Sequence, residues 1–224
     1  MGGLVFVIGV IFMAIAAPLL APYGPNVQDL LRINAGPSST HWLGTDDLGR
    51  DILSRLIYGA RPPLRAAFQI VGAALVLALP IALVAGFVRG WVDAVAMRFM
   101  DALFSFPPLV LALTVAALLG PNLNDASIAI SIVFVPSFVR LIRGEVISVR
   151  EETYVDAARA TGVAPGRLIR THILPNVASP LIIQVALALG YGILIDAGLS
   201  FLGVGEQPPT ASWGLMLTEA YRFI

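Results

Sequence analysis

The stretch Ala66–Val88, AAFQIVGAALVLALPIALVAGFV, decides the fold: it runs for 23 residues without a charged side chain. Crossing the roughly 30 Å hydrocarbon core of a bilayer takes about 20 apolar residues of helix. Residues 1–28, 102–124 and 173–195 are uncharged runs of sufficient length as well. A further run, 126–139, has 14 residues. It reaches full length if Leu141 and Ile142 continue the helix while Arg140 snorkels to the interface. The expected fold is therefore all-α, a polytopic membrane helix bundle with five spans, near residues 3–21, 66–88, 102–120, 124–143 and 176–196.

Composition agrees. The chain has 224 residues, 14 arginines, no lysine and 14 acidic residues, so 12% of positions are charged. A soluble domain has about 25%. Hydrophobic residues make up 58% and the mean hydropathy is +0.86. Disorder is excluded by that hydrophobicity, and a formal net charge of zero gives no basic footprint for nucleic acid. Without cysteine there is no disulfide frame or thiol nucleophile, and His41 and His172 are too far apart to suggest a metal site. Ala14, Ala16 and Ala17 could close a signal peptide, but no positive charge precedes the apolar core, and four more spans favour a resident membrane protein.

Arginine placement orients the chain. Eight arginines fall on the side that holds the N-terminus, the 89–101 link and the 140–172 stretch; six fall on the other. The dense cluster at 140, 143, 150, 159, 167 and 170 puts that stretch in the cytoplasm. Trp42, Trp91 and Trp213 lie near span ends, as an interfacial belt would place them. Pro80, Pro107-Pro108, Pro136 and Pro180 interrupt the apolar runs; they serve either helix packing or a path that opens and closes. On the outer side, Ile52, Leu53, Leu56 and Ile57 follow helical spacing and predict an interfacial helix.

Residues 140–176, RLIRGEVISVREETYVDAARATGVAPGRLIRTHILPN, carry the functional signal. Thr153 followed by Asp156 fits a capping box, and Gly162 is placed to end that helix in a left-handed conformation. Tyr154, Ala157, Ala158 and Thr161 share one face, whose two alanines let another surface approach the backbone. Asp156 and Arg159 are spaced for a local pair. Pro165 suits the first turn of a second short helix, and Pro175 interrupts or kinks it. The residues at 150–175 thus predict a compact cytoplasmic hairpin: either a solvated connection or a docking element for a partner.

Asp156-Ala157-Ala158, three residues, Gly162, and later Leu174-Pro175 resemble the EAA motif of permease subunits of bacterial ABC importers. That motif has glutamate at the place of Asp156 and isoleucine at the place of His172; the spacing is intact. Ala21-Pro22-Tyr23-Gly24-Pro25, His41–Asp51, Gly59-Ala60-Arg61, Phe106-Pro107, Leu199–Gly203, Gln207-Pro208-Pro209 and Ser212-Trp213-Gly214 look like the dipeptide/oligopeptide/nickel group, C-type subunit. The resemblance implies a permease of the bacterial inner membrane that moves di- or oligopeptides by alternating access. It implies a second permease subunit as heterodimeric partner, two cytoplasmic ATPase subunits, and an extracytoplasmic solute-binding protein. Asp156, Ala157, Ala158, Gly162, Leu174 and Pro175 would form the ATPase-coupling element. The chain itself would bind no cofactor and no metal, and with no lysine it cannot build a Gly-x-x-x-x-Gly-Lys phosphate loop.

Asp196 stands at the end of a 23-residue uncharged run. A buried acid there is a candidate intramembrane polar contact, for substrate amine or gating, against a structural or interfacial role. The family has a sixth span beyond Trp213, whereas this sequence stops at Ile224, so the expectation is a bundle lacking its C-terminal span. Other readings are an assembly or docking subunit without its own path, or a permease for nickel or another small solute. A membrane enzyme is disfavoured because no convergent acid, base, nucleophile or metal set appears.

Overall fold

The computed structural model describes residues 2–119 and 123–223. Eleven α-helices and one π turn follow one another, and the described residues contain no strand beyond two isolated bridges. The link at 120–122, expected between the third and fourth spans, lies outside the described residues. Among the described residues, three helical runs are long and apolar enough to cross a membrane, and there are four if the bent pair counts as one span. The chain divides into two compact units, one of residues 1–67, 116–126 and 193–224, the other of 68–115 and 127–192.

The first helices, α1 (Gly2–Ile15) and α2 (Ala17–Leu20), cover the first expected span. The irregularity at Ala16 precedes Pro18, which sits in the first turn of α2, where no N–H is required. A long outer segment leads to α3 (Ile52–Tyr58) and then α4 (Arg61–Val88). Asp51 caps α3, accepting from the Ser54 N–H at 2.8 Å. Arg61 donates to the carbonyls of Ala14 (2.6 Å) and Ile15 (3.2 Å), satisfying acceptors that the end of α1 leaves open. Contrary to a simple interfacial helix, α3 buries Arg55 and Ile57 while Leu56 is exposed.

In the second unit, α4 presents Ala74, Ala78 and Ala82, one turn apart and fully buried. They belong to a core with Val135, Phe138, Val139, Ile142 and Val146 of α7 (Leu123–Arg150), Met100 of α5 (Gly90–Phe104), and Val177 and Ala188 of α10 (Leu174–Phe201). Bilayers supply little hydrophobic drive between helices, so small residues that permit close packing matter more. At Gly86 a Cβ would stand 2.8 Å from the Val146 side chain, so α4 and α7 come close enough to require glycine there.

The region 89–101, expected as a polar link, is helix α5. Beyond it the expected straight span over 102–120 is broken at Ser105-Phe106-Pro107. The chain turns there by 92° into α6 (Pro108–Leu119). Two successive prolines explain the break: each removes an N–H and disfavours helix in the preceding residue. Pro80, Pro136 and Pro180, in contrast, lie inside continuous helices.

The polar side of α5 is tied to α7. Arg143 clasps Asp93 in a bidentate pair, Nε donating to one carboxylate oxygen and Nη2 to the other, and Arg140 reaches Asp101 at 2.7 Å while lying 4.3 Å over the Phe104 ring. Arg89 pairs with Glu151 at 2.9 Å. Part of the arginine cluster therefore ties helices together through ion pairs. The opposite face of α5 exposes Trp91, Val95 and Phe99.

A candidate coupling hairpin

Between α7 and α10 the chain makes two turns, at Glu151-Glu152, and then enters α8 (Thr153–Ala160). The expected capping box does not form. Glu152 occupies the cap position in extended conformation without a side-chain bond, Thr153 is already the first helical residue, and Asp156 pairs with Arg159 at 2.9 Å instead. The long helix α7 reaches Arg150, which moves the start of α8 one residue earlier than Thr153 as cap would require.

The end of α8 forms as its sequence dictates. Gly162 has φ +80°, its N–H donates to the Arg159 carbonyl at 3.0 Å, and the Val163 N–H donates to Ala158 at 3.2 Å. This is a Schellman cap, which satisfies two of the carbonyls a helix end leaves open. Pro165 opens α9 (Pro165–Leu168) at its first position. Val155, Leu168 and Ile173 are fully buried and anchor the hairpin. Tyr154, Asp156, Ala157, Thr161 and Gly162 are exposed, and Ala158 is half-buried. An accessible small-residue face thus projects from a buried apolar support.

Pro175 does not break the second helix. The chain passes from α9 through a π turn (Ile169–Ile173) directly into α10, with the Leu174 N–H donating to the Ile169 carbonyl. A π turn inserts an extra residue, which eases the clash a proline ring makes with the carbonyl four residues back. Leu174 is half-buried and Pro175 exposed. Asn176, to which the motif reading gave no role, donates to the His172 carbonyl at 2.6 Å and to the Tyr154 hydroxyl at 3.1 Å. The Tyr154 and His172 rings stack at 6.1 Å between centroids. A polar side chain one place after Leu-Pro was the available signal; its partner 22 residues earlier gave none.

Asp196 lies in the other unit, in α10, and is 2% exposed. Its Oδ1 finds no hydrogen-bond partner among the described residues. One turn on, the Ser200 hydroxyl accepts from the Glu206 N–H at 3.2 Å. Glu206 lies past the end of α10, where burial pushes its carboxyl up against the opposing pull of a Thr210 hydrogen bond, the Arg65 charge and the Gln207 N–H.

The same unit holds a charge network that sequence reasoning did not find. Arg50 and Arg55 are buried, and both reach Glu219 of α11 (Trp213–Tyr221), at 3.1 and 3.2 Å; Asp46 pairs with Arg50 at 2.7 Å. Nearby, His41 Nδ1 meets Asp51 at 2.9 Å, and the Ser54 hydroxyl donates to the other oxygen of Asp51 at 2.7 Å. These groups brace the outer segment. Asp51 sits between His41 and Ser54, so Ser54 faces the carboxylate, an arrangement unlike a nucleophile–base–orienter chain. No group of three or more metal-ligating side chains occurs among the described residues.

Comparison with known proteins places this geometry. The family of binding-protein-dependent transport system inner membrane components matches residues 78–224. The N-terminal TM domain of oligopeptide transport permease C matches residues 1–37. The chain is 45% identical over 222 residues to the dipeptide transport system permease protein of Alkalihalophilus pseudofirmus, covering 99% of this chain and 73% of that one. It is 40% identical over 216 residues to the glutathione transport system permease protein of Pectobacterium atrosepticum, covering 96% and 72%. It is also 40% identical over 220 residues to the probable D,D-dipeptide transport system permease protein of Escherichia coli, covering 98% and 74%. An all-α chain of long apolar helices that matches this family over about two-thirds of its length belongs to the binding-protein-dependent inner-membrane permeases of bacterial ABC importers.

Proposed function

We propose that this chain forms part of the membrane path of an ATP-driven importer for di- or oligopeptides, and that α8 seats in a cleft of a cytoplasmic ATPase. Permeases of this kind work with a binding protein, an ATPase and a partner permease. The finer assignment is a heterodimer of two permeases, two ATPase chains, and an extracytoplasmic binding protein that delivers the peptide. The observation that carries the reading is the small-residue face of exposed Ala157 and half-buried Ala158, held by a Schellman cap on a hairpin between two apolar helices. ATPase closure would displace that face and bias the helix bundle between outward- and inward-open states. Asp156, Ala157, Ala158 and Gly162 would make or shape the contact, with Leu174 and Pro175 setting the direction in which α10 leaves it.

The test is reconstitution of the complete importer in proteoliposomes with labelled dipeptide outside and ATP on the ATPase side. Wild type should show uptake that depends on ATP and binding protein. Ala158→Glu should still insert and fold, because the site is partly exposed, but should lose co-purification of the ATPases. No uptake with all components present, or undiminished ATPase binding by the Glu variant, would sink the proposal. We assign Asp196 a polar contact on the path or its gate, supported by its burial without a partner for Oδ1. Asp196→Asn is expected to lower uptake at least severalfold in the same assay; unchanged uptake would leave Asp196 a packing residue.

A further inference from the structure

Residues 165–201 form one helical run with a weak point near its start. At the π turn the hydrogen-bond spacing lengthens by a residue, and Pro175 then contributes no N–H at all. Sharp helix bends concentrate at such points. A force applied to α8 has two covalent routes into the membrane. One is through Glu151-Glu152 into α7; the other is through the 161–164 turn and this deformable π turn into α10. The second route, taken alone, would absorb displacement by bending.

The side chains of Tyr154, His172 and Asn176 bypass it. Asn176 is the third residue of α10, beyond the π turn, and Tyr154 is in the first turn of α8; the 3.1 Å bond between them crosses both turns. His172 fills the remaining space. Its ring lies against Tyr154 at an interplanar angle of 27°, and its carbonyl receives the Asn176 amide. The tautomer follows from counting protons. Thr171 spends its hydroxyl hydrogen on the Arg167 carbonyl at 2.7 Å, so the 2.6 Å contact between Thr171 Oγ1 and His172 Nδ1 requires the proton on Nδ1. Each of the three side chains is thus fixed by at least two neighbours. Tyr154 remains 43% exposed, so these bonds add little to stability. What they specify is geometry.

We propose that Tyr154, His172 and Asn176 form a clamp that fixes the coupling helix α8 to the base of α10, so that displacement of α8 is delivered to the transmembrane helix instead of being lost in the π turn. They are positioning residues: they act through α8 and touch no transported solute. The clamp rests on the coupling role given to α8 above. It also gives the departure at His172 a function, since isoleucine could neither stack on Tyr154 in this way nor engage Thr171.

The experiment uses the complete reconstituted importer and reads the ratio of solute transported to ATP hydrolysed. Asn176→Ala should lower that ratio by about three- to tenfold, with binding-protein-stimulated hydrolysis within about twofold of wild type, and Tyr154→Phe should lower the ratio to a similar extent. The double variant should be no worse than Asn176→Ala alone, because both substitutions remove the Tyr154–Asn176 bond and only Asn176→Ala also removes the bond to the His172 carbonyl. ATPase co-purification by the Asn176→Ala variant should be unchanged. Unaltered ratios, transport and hydrolysis falling in the same proportion, or losses that multiply in the double variant would each overturn the clamp. Should Asn176→Ala fail to assemble, Tyr154→Phe decides alone, since it deletes a single exposed hydroxyl. A wild-type complex without ATP-dependent uptake would overturn the permease reading and the clamp with it. Wild-type uptake with unaltered variant ratios would overturn the clamp alone.

Discussion

Gly162 shows how much one residue can specify. A Cβ built there meets nothing within 4 Å, so its requirement is conformational and owes nothing to space. An L-residue in the left-handed region costs about 1–2 kcal/mol. Gly162→Ala should therefore destabilise the hairpin by about 1 kcal/mol and Gly162→Val by more, with Gly162→Asn the mildest. Hydrogen exchange across 153–164 would measure this, and equal protection in all three variants would contradict it. The left-handed cap was legible in the sequence because it depends on neighbours within five residues. The Thr153–Asp156 box was equally local, yet it failed: where α8 begins is set by how far α7 continues, and that depends on packing.

Among the elements, α3 with its cap at Asp51 yields a pH-dependent expectation. Burial alone would raise the Asp51 carboxyl, but the Ser54 hydroxyl and N–H, with the hydrogen bond and charge of His41, outweigh it and hold the pKa below the usual carboxylate range. A native pKa lower than the unfolded value of about 3.9 stabilises fully above that value and is lost as pH falls through the native one. Asp51→Asn should cost about 1 kcal/mol at neutral pH, as loss of a cap does. The gap in unfolding temperature between wild type and the Asn variant should hold from about pH 7 to 5 and close below about pH 4. A gap independent of pH would count against it. For α5, charge gaps alone misled: Asp93, Arg98 and Asp101 made 89–101 look like a link, although its apolar residues Trp91, Val95 and Phe99 recur every four positions. Charges that ion-pair to a neighbouring helix interrupt a run without interrupting a helix.

For the molecule as a whole, the long-range charge network is the feature most exposed to single substitutions. Arg50 and Arg55 lie 169 and 164 residues from Glu219, and their side chains are 2% and 1% exposed. Removing one member of a buried pair leaves the other's charge desolvated, at about 3–5 kcal/mol. Asp46 remains to offset part of this, so Glu219→Ala is expected to cost about 3 kcal/mol and to release α11 from the outer segment. Thermal unfolding in nanodiscs, with hydrogen exchange over 213–221, would check both, and a change under 1 kcal/mol would show the network to be dispensable. Burial also differs between the spans. More than half of the apolar window of α7 is buried within the chain, whereas α10 is mostly exposed along Ile182, Ile183, Leu187 and Leu194, a surface available to lipid or a second permease.

Apolar run lengths by themselves established a membrane helix bundle, because the hydrocarbon core sets a minimum length that any composition must meet. Gly162 and Pro165 likewise marked the hairpin between α7 and α10, since caps and first-turn prolines act within a few residues. Tertiary structure alone decided the 92° break before α6, the π turn in place of a kink at Pro175, the link that became α5, and the partners of Asn176 and Glu219. These depend on which side chains meet across tens of residues or more, and hydrogen bonds and ion pairs at 3 Å leave no periodic trace along the chain.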